Sequence, residues 1–394
     1  MKSRLLHTPE GVRDIYSQEC DDKRFLQKKL HHILKQYGYH DIETPTIEFF
    51  DVFSREIGTI PSRELYKFFD REGNTLVLRP DFTPSIARCA AKYFPDSETT
   101  LRLCYSGSTF INTLEYQGRL KESTELGVEC IGENSVELDG EIIATTVELL
   151  KEAGLAEFQI EIGEVDFFKG LLEETGVSEE TAMTLRELIS NKSFFEVEEL
   201  LAHLPMKEEL KTIFLRLPQL FGPIERIMEL KKLTKNETSI RAVERLEALY
   251  KVLQLYGVED YVTFDLGMLS KYHYYTGIIF RAYTHGSGEA LIKGGRYDNL
   301  MEQFGNPRPS IGFVVDIDRL LTTLERQGIA FPPAKKPVLI LYTEKSFQKA
   351  VEKAAELRKD GSFVEMTKAI KSMEEYQKLL EKDNFSEILY MDET

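Results

Sequence analysis

The first element that the hydrophobic pattern predicts is a helix near the start of the chain. Its apolar positions recur at i, i+4, i+7, i+8 and i+11, and they are Leu26, Leu30, Ile33, Leu34 and Tyr37. That spacing places one apolar stripe along a helix over residues 19–37, with Gly38 as its C-terminal cap. The following YHDIETPTIEFFDVF predicts a strand that is interrupted near Pro45, because proline has no N–H to donate to a sheet.

Strand and helix patterns then alternate up to about residue 165. Short runs rich in β-branched and aromatic residues predict strands, and these runs are YKFFD, NTLVLR, TTLRLCYSGSTFI, KESTELGVECIG and FQIEIGEV. A helix is predicted to begin near Pro84, with Thr83 as its N-cap. A second helix, with amphipathic spacing, is predicted over Val136–Ala153.

The pattern changes from about residue 166, where glycine becomes sparse and runs such as AVERLEALYKVLQLYG have helical spacing. Strand patterns return in YVTFDLGML, and a proline-rich IAFPPAKKP indicates a linker before a final alternation of strands and helices. The predicted organisation is a core of residues 1–165 and 259–328, a helical insertion over 166–258, a linker at 329–336 and a small βαβαβ domain over 337–394.

Composition and charge exclude several classes of protein. The chain has 394 residues, of which 42% are apolar and 29% charged, as is typical of a globular protein with two or three domains. Its formal charge of −16 opposes general binding to nucleic acid. No apolar run approaches the roughly 20 residues that a membrane helix needs, and the N-terminus has no secretory apolar segment.

The cysteines predict a reduced, cytoplasmic protein. The chain has four of them, Cys20, Cys89, Cys104 and Cys130, and no two form a CxxC pair. The seven histidines do not fall into metal-ligand spacing with these cysteines. We therefore predict neither a zinc site nor a cofactor.

Two short stretches carry the candidate chemistry. In LRPDFTP, Asp81 and Thr83 are two positions apart, and in ELGVE Glu125 and Glu129 each lie two positions from Gly127. Side chains two apart on extended backbone face one side, so each stretch presents polar groups to a common ligand. Two carboxylates separated by glycine suit an ammonium or imidazole. The alternative is that both stretches are ordinary solvated strand edges.

Taken together and in order, several motifs resemble the catalytic core of histidyl-tRNA synthetase, a class II aminoacyl-tRNA synthetase. The motifs are TPEGVRD, LRPDFTPSIAR, YSGSTF followed by GR and ELGVE, YYTG, GGRYD and GFVVDIDRL. The resemblance covers about residues 5–325 and includes a helical insertion. It implies an α+β fold: an antiparallel sheet of the class II synthetase type flanked by helices, with the helical insert and a small C-terminal α/β domain.

Three positions depart from the synthetase pattern. Ile111 stands where the synthetase has the arginine that grips the α-phosphate of ATP, and isoleucine can neither donate a hydrogen bond nor carry charge. Ser270 stands where an arginine activates the amino acid. Asp316 replaces a glycine and brings a negative charge towards the triphosphate. The resemblance therefore implies that these three catalytic positions are lost and that the chain has no catalytic residues of its own.

The motifs LRPDFTPSIAR and GFVVDIDRL, together with the three altered positions, resemble those of a non-catalytic paralogue family, the regulatory subunits of ATP phosphoribosyltransferase. That resemblance implies a short-form catalytic partner subunit, a hetero-octamer, self-association through the core, and feedback inhibition of histidine biosynthesis by L-histidine. Carried over residue by residue, the histidine pocket consists of Asp81, Thr83, Glu125, Glu129 and Tyr275. Arg119 and Arg296 are further neighbours of that pocket. The competing interpretation is that the pocket survives only as polar support for the fold.

Two other functions remain open at this point. The first is an active histidyl-tRNA synthetase with altered motifs, and the second is a stand-alone histidine sensor on the same fold. A tRNA partner is disfavoured, because residues 335–394 hold 11 Lys/Arg against 12 Asp/Glu and so have no basic surplus.

Overall fold

The computed structural model describes residues 4–54, 60–96, 98–113, 120–232, 234–269, 275–333, 335–370, 373–381 and 385–391. Contacts between Cα atoms divide the chain into two compact units, Met1–Ala330 and Phe331–Thr394. Within the described residues, no helix combines the length and the apolar character needed to cross a bilayer.

Strands of the first unit form two sheets. They are β1 (His40–Asp41), β2 (Ile47–Phe49), β3 (Lys67–Phe69), β4 (Thr75–Leu78), β5 (Leu101–Phe110), β6 (Glu122–Ile131), β7 (Gln159–Glu164), β8 (Phe221–Gly222), β9 (Val262–Asp265), β10 (Ile278–Tyr283), β11 (Ile292–Arg296) and β12 (Ser310–Asp316). The large sheet has the order β1-β5-β6-β12-β11-β10-β7-β9-β8, and the small one has β2-β4-β3. Most neighbouring strands are antiparallel, while β1 with β5 and β7 with β9 are parallel. The predicted α+β fold is confirmed.

The first unit has eleven α-helices among its described residues. They are α1 (Ser17–Gln36), α2 (Asp51–Ser54), α3 (Thr83–Tyr93), α4 (Val136–Ala153), α5 (Val165–Thr175), α6 (Glu179–Ser190), α7 (Phe194–Ala202), α8 (Glu208–Arg216), α9 (Ile224–Met228), α10 (Glu237–Tyr256) and α11 (Ile317–Arg326). Of these, α1, α4, α9, α10 and α11 pack on the large sheet. The bounds of α4 agree with the sequence pattern because local caps fix them. Ser135 Oγ accepts from the amide of Leu138 at 3.1 Å, and Gly154 ends the helix at φ 103°.

One predicted cap is wrong. Thr83 is the first residue of α3, and the residue before it, Phe82, holds the cap position. The Thr83 amide instead donates to Asp81 Oδ1 at 2.9 Å, so Asp81 satisfies this free N–H of the helix start. The Thr83 hydroxyl is therefore not needed as a cap and donates instead to Glu129 on β6.

The helical segment after residue 165 is not wholly helical. Its short strand β8 pairs antiparallel with β9 and extends the large sheet, which the sequence pattern did not predict. The long helix α10 packs on α4 at a close approach, since a Cβ on Gly140 would lie 2.4 Å from Val252 Cγ1. Glycine at this position lets the two helix backbones meet.

The second unit is a three-stranded parallel sheet with two helices. Its elements are β13 (Val338–Tyr342), α12 (Phe347–Lys359), β14 (Val364–Lys368), α13 (Met373–Glu381) and β15 (Glu387–Tyr390). The strand order is β14-β13-β15, with both pairings parallel. Central strand β13 is buried along most of its length, as expected for a parallel sheet that helices cover.

Candidate functional site

Alternating residues of β6 form the floor of the candidate site. Glu125, Gly127 and Glu129 are two positions apart and therefore share one face of the large sheet. Across the ladder to β12, Glu125 lies opposite Asp316 and Glu129 lies opposite Gly312. The pairing puts a third carboxylate at one end of the floor. At the other end, the missing side chain of Gly312 leaves space for the Glu129 carboxylate, since a Cβ there would lie 1.9 Å from Glu129 Oε2.

Glycines in the floor make space for two tyrosine rings. A Cβ on Gly127 would lie 2.3 Å from the Tyr105 hydroxyl oxygen, and a Cβ on Gly295 would lie 2.7 Å from Tyr275 Cε1. No side chain larger than glycine fits either position without moving a ring. Tyr105 also stacks on Phe82 with ring centroids 4.4 Å apart. Because Phe82 is the cap residue of α3, this stacking holds the start of that helix against the sheet.

Glu129 is the centre of a buried polar network. Its side chain is 2% exposed. Thr83 Oγ1 donates to Oε1 at 2.6 Å, and the Tyr297 hydroxyl donates to Oε2. Burial raises the pKa of Glu129 to about 8, and the negative charge of Asp81 adds to the rise, while the two hydroxyl donors oppose it. Glu129 is therefore a carboxyl that takes or gives a proton near neutral pH.

Glu125 and Asp81 extend the acidic character of the site. Burial raises the pKa of Glu125 well above its ordinary value, and the nearby charges of Asp81 and Asp316 raise it further. Carboxylates this close cannot all be ionised without a positive partner. The arrangement therefore favours a ligand that brings a cationic group, such as an α-ammonium or a protonated imidazole.

Of the two arginines predicted beside the pocket, the structure describes only Arg296. Arg296 lies between Gly295 and Tyr297 on β11 and points to the opposite face, where Nη2 binds Asp139 Oδ1 at 2.6 Å. Its Nη1 bonds to the Glu133 carbonyl and its side chain is buried, so the expected pocket role is wrong. Strand alternation alone sends neighbouring residues to opposite faces. Arg119 lies outside the described residues.

The structure describes two of the three altered catalytic positions, Ile111 and Asp316, and their surroundings differ. Ile111 follows the end of β5, where its amide donates to the Lys121 carbonyl at 2.9 Å. Asp316 is the N-cap of α11: its Oδ1 accepts from the Arg319 amide at 3.0 Å, and its Oδ2 lies 3.3 Å from Arg319 Nη2. The arginine is thus paired internally. Ser270 lies outside the described residues.

Two tyrosines of the site were missed by the sequence reasoning. Tyr105 and Tyr297 are both buried, and Tyr297 is bonded directly to Glu129. The signal was present for Tyr297, because it follows Gly295 by two positions and so faces the same side. GGRYD was interpreted only through its glycines.

Comparisons with known proteins agree on the family. A histidyl-tRNA synthetase family model matches residues 11–320. The ATP phosphoribosyltransferase regulatory subunit of Acetivibrio thermocellus is 42% identical over 361 residues, which is 92% of this chain and 86% of the relative. The protein of the same name from Ruminiclostridium cellulolyticum is 41% identical over 386 residues, covering 98% of this chain and 92% of the relative.

Solved structures show the same fold. A Bacillus halodurans protein described as an ATP phosphoribosyltransferase regulatory subunit/histidyl-tRNA synthetase superposes with a TM-score of 0.88 at 32% identity, covering 99% of each chain. The histidyl-tRNA synthetase of Nostoc sp. PCC 7120 superposes with a TM-score of 0.80 at 19% identity, covering 96% of this chain and 90% of that one, and indicates the fold alone. The chain therefore belongs to the histidyl-tRNA synthetase-like family and, within it, to the ATP phosphoribosyltransferase regulatory subunits.

Proposed function

We propose that this chain is a non-catalytic regulatory subunit that activates a short-form catalytic ATP phosphoribosyltransferase and makes it sensitive to histidine. The observation that carries the proposal is the combination of a retained acidic pocket around Glu129 with Ile111 and Asp316 at the nucleotide positions. Relatives named as regulatory subunits, 34–42% identical over most of the chain, support it.

Electrostatics supports the proposed lack of synthetase activity. Phosphoryl chemistry needs fixed positive groups at the developing charge, and loss of one such donor typically slows the reaction by about 10²–10³-fold. Ile111 supplies no such group. Arg319 is held by the carboxylates of Glu289 and Asp316 at 2.9 and 3.3 Å.

Histidine is the proposed effector, and the pocket of Asp81, Thr83, Glu125, Glu129 and Tyr275 is its proposed site. An arriving ammonium group favours the ionised form of Glu129, whose pKa in the free protein is about 8. Binding at pH 7 should therefore release close to one proton. Calorimetry in two buffers of different ionisation enthalpy measures that release, and a value near zero would place the effector elsewhere.

Self-association through the core is also part of the proposal. The small sheet turns an apolar face outward, on which Ile47 is 49% exposed and Phe49 is 56% exposed. Their strand partners on that face are Leu78 and Leu76. A second copy is the proposed cover, because an uncovered apolar sheet face is a liability in water. Phe49→Asp should shift the chain to monomer in light scattering, and Lys67→Asp on the inner face of the same sheet serves as the control.

Reconstitution tests the main function. The chain is mixed with a short-form catalytic ATP phosphoribosyltransferase, and formation of phosphoribosyl-ATP is followed with and without histidine. We expect activity only in the mixture, inhibition by histidine, and weaker inhibition with Glu129→Ala than with the exposed control Glu302→Ala. If the catalytic subunit formed phosphoribosyl-ATP equally fast with and without this chain, the regulatory assignment would be overturned.

An active synthetase is the second candidate, because the Bacillus halodurans neighbour carries both names. Histidine-dependent exchange between ATP and pyrophosphate separates the two functions. Exchange by the isolated chain would establish the synthetase and refute the proposal. A stand-alone sensor would instead bind histidine but not the catalytic subunit.

A further inference from the structure

Three side chains of different chemistry meet on one side of β5, opposite the side to which Tyr105 projects. They are His31 from α1, Asp41 from β1 and Cys104 from β5. Strands β1 and β5 pair in parallel, and their register sets Asp41 directly opposite Cys104. Directly opposed residues project to the same side of a sheet, so the carboxylate and the thiol are held together by the backbone. Helix α1 crosses over them and supplies the imidazole.

One carboxylate oxygen is the meeting point of the group. His31 Nε2 lies 2.5 Å from Asp41 Oδ1, and Cys104 Sγ donates to the same oxygen at 3.3 Å. The second oxygen, Oδ2, accepts from Lys35 Nζ at 2.9 Å. Lys35 is one helical turn after His31, and its bond leaves Oδ1 facing the other two groups.

We infer that His31, Asp41 and Cys104 form a zinc site, contrary to the expectation of no zinc site that the spacing of cysteines and histidines gave. Their nearest ligand atoms all lie within 4.8 Å of one another. Zinc in proteins lies about 2.0–2.3 Å from imidazole nitrogen, carboxylate oxygen and thiolate sulfur, so small side-chain movements bring all three onto one ion. A thiolate with an imidazole selects zinc over magnesium or calcium, which prefer sets of oxygen ligands.

The hydrogen bonds of the group mark the place that a cation would occupy. Cys104 is completely buried. In the metal-free chain the contacts of His31 and Cys104 converge on Asp41 Oδ1. A zinc ion takes their place, releasing the thiol proton as the thiolate binds. His31 and Lys35 on α1, Asp41 on β1 and Cys104 on β5 are the charged and titratable groups of this cluster.

The location defines what zinc does here. The ligands come from a helix, an edge strand and an inner strand, so one ion ties α1 to the large sheet. Side chains of His31 and Asp41 are 37% and 61% exposed, which leaves room for water as the fourth ligand. The site thus has three protein ligands and one open position, and it does not depend on the function proposed for the acidic pocket.

Zinc titration of the full-length, untagged chain tests the inference. After removal of metals with EDTA and dialysis, ZnCl₂ is titrated by calorimetry and in competition with a chromophoric chelator. We expect one zinc per chain and a higher melting temperature with zinc. His31→Ala and Cys104→Ala should each weaken binding by more than the roughly 10–100-fold typical of losing an outer-shell partner. His32→Ala and Cys20→Ala are the matched controls and should bind as the parent does.

Cobalt provides a readout that does not depend on stability. Co²⁺ bound by the parent should show a thiolate-to-metal absorption band, and Cys104→Ser, which preserves side-chain size, should lose that band while remaining folded by circular dichroism. Binding that is unchanged in His31→Ala and in the Cys104 variants, or a stoichiometry well below one, would overturn the zinc site.

Discussion

Replacing Glu129 by glutamine should change how the stability of the protein depends on pH. In the folded chain burial raises the pKa of this carboxyl to about 8, whereas its ordinary value is 4.5. Between those values the unfolded chain has lost the proton and the folded chain has kept it. The free energy of unfolding of the parent therefore falls as pH rises through this window, and glutamine, which does not titrate, removes the fall.

The size of the effect follows from the same two values. One pKa unit corresponds to about 1.4 kcal/mol, so the full difference is about 5 kcal/mol, of which about 3 kcal/mol is present by pH 7. The free energy of unfolding of Glu129→Gln minus that of the parent should rise by about 3 kcal/mol between pH 4.5 and pH 7, and by about 4 kcal/mol between pH 4.5 and pH 8. Glutamine keeps the volume of the side chain and one acceptor for the hydroxyls of Thr83 and Tyr297.

Urea unfolding of the parent and the variant at a series of pH values measures this difference directly. Other groups titrate in both proteins and cancel in the subtraction. Glu302→Gln, a substitution at an exposed glutamate, is the control and should give a flat difference. If the Glu129→Gln difference were constant within about 1 kcal/mol between pH 5 and pH 8, the carboxyl would be ionised in the folded protein and the argument would be refuted.

Three further substitutions give simpler outcomes. Arg296→Met removes one of two arginines from the fully buried Asp139 and should cost about 3–5 kcal/mol in urea unfolding, with unchanged stability as the contradicting result. Gly295→Ala places a Cβ 2.7 Å from the Tyr275 ring, and should cost about 1–3 kcal/mol and weaken histidine binding in calorimetry; equal affinity would show that the ring is not part of the site. Ile111→Arg should not produce ATP–pyrophosphate exchange, since the other altered positions remain, and any measurable exchange would contradict this.

The sequence predicted best those features that are determined within one short window. Helix α4 has the predicted bounds because its serine cap and terminal glycine are local to it. Glu125 and Glu129 share a face because they are four residues apart on one strand. By contrast, Thr83 was predicted as a cap, yet its hydroxyl is used by Glu129, which is 46 positions away.

What the sequence by itself determined was the order of the elements, the family and the alternating faces of each strand. Only the tertiary structure decided which charges are paired. Arg296 binds Asp139 across 157 positions, and Cys104 meets Asp41 across 63, although no spacing motif connects either pair. The reason is physical: periodicity follows from the backbone geometry of single elements, whereas the partner of a buried charge depends on which elements the folded sheet brings together.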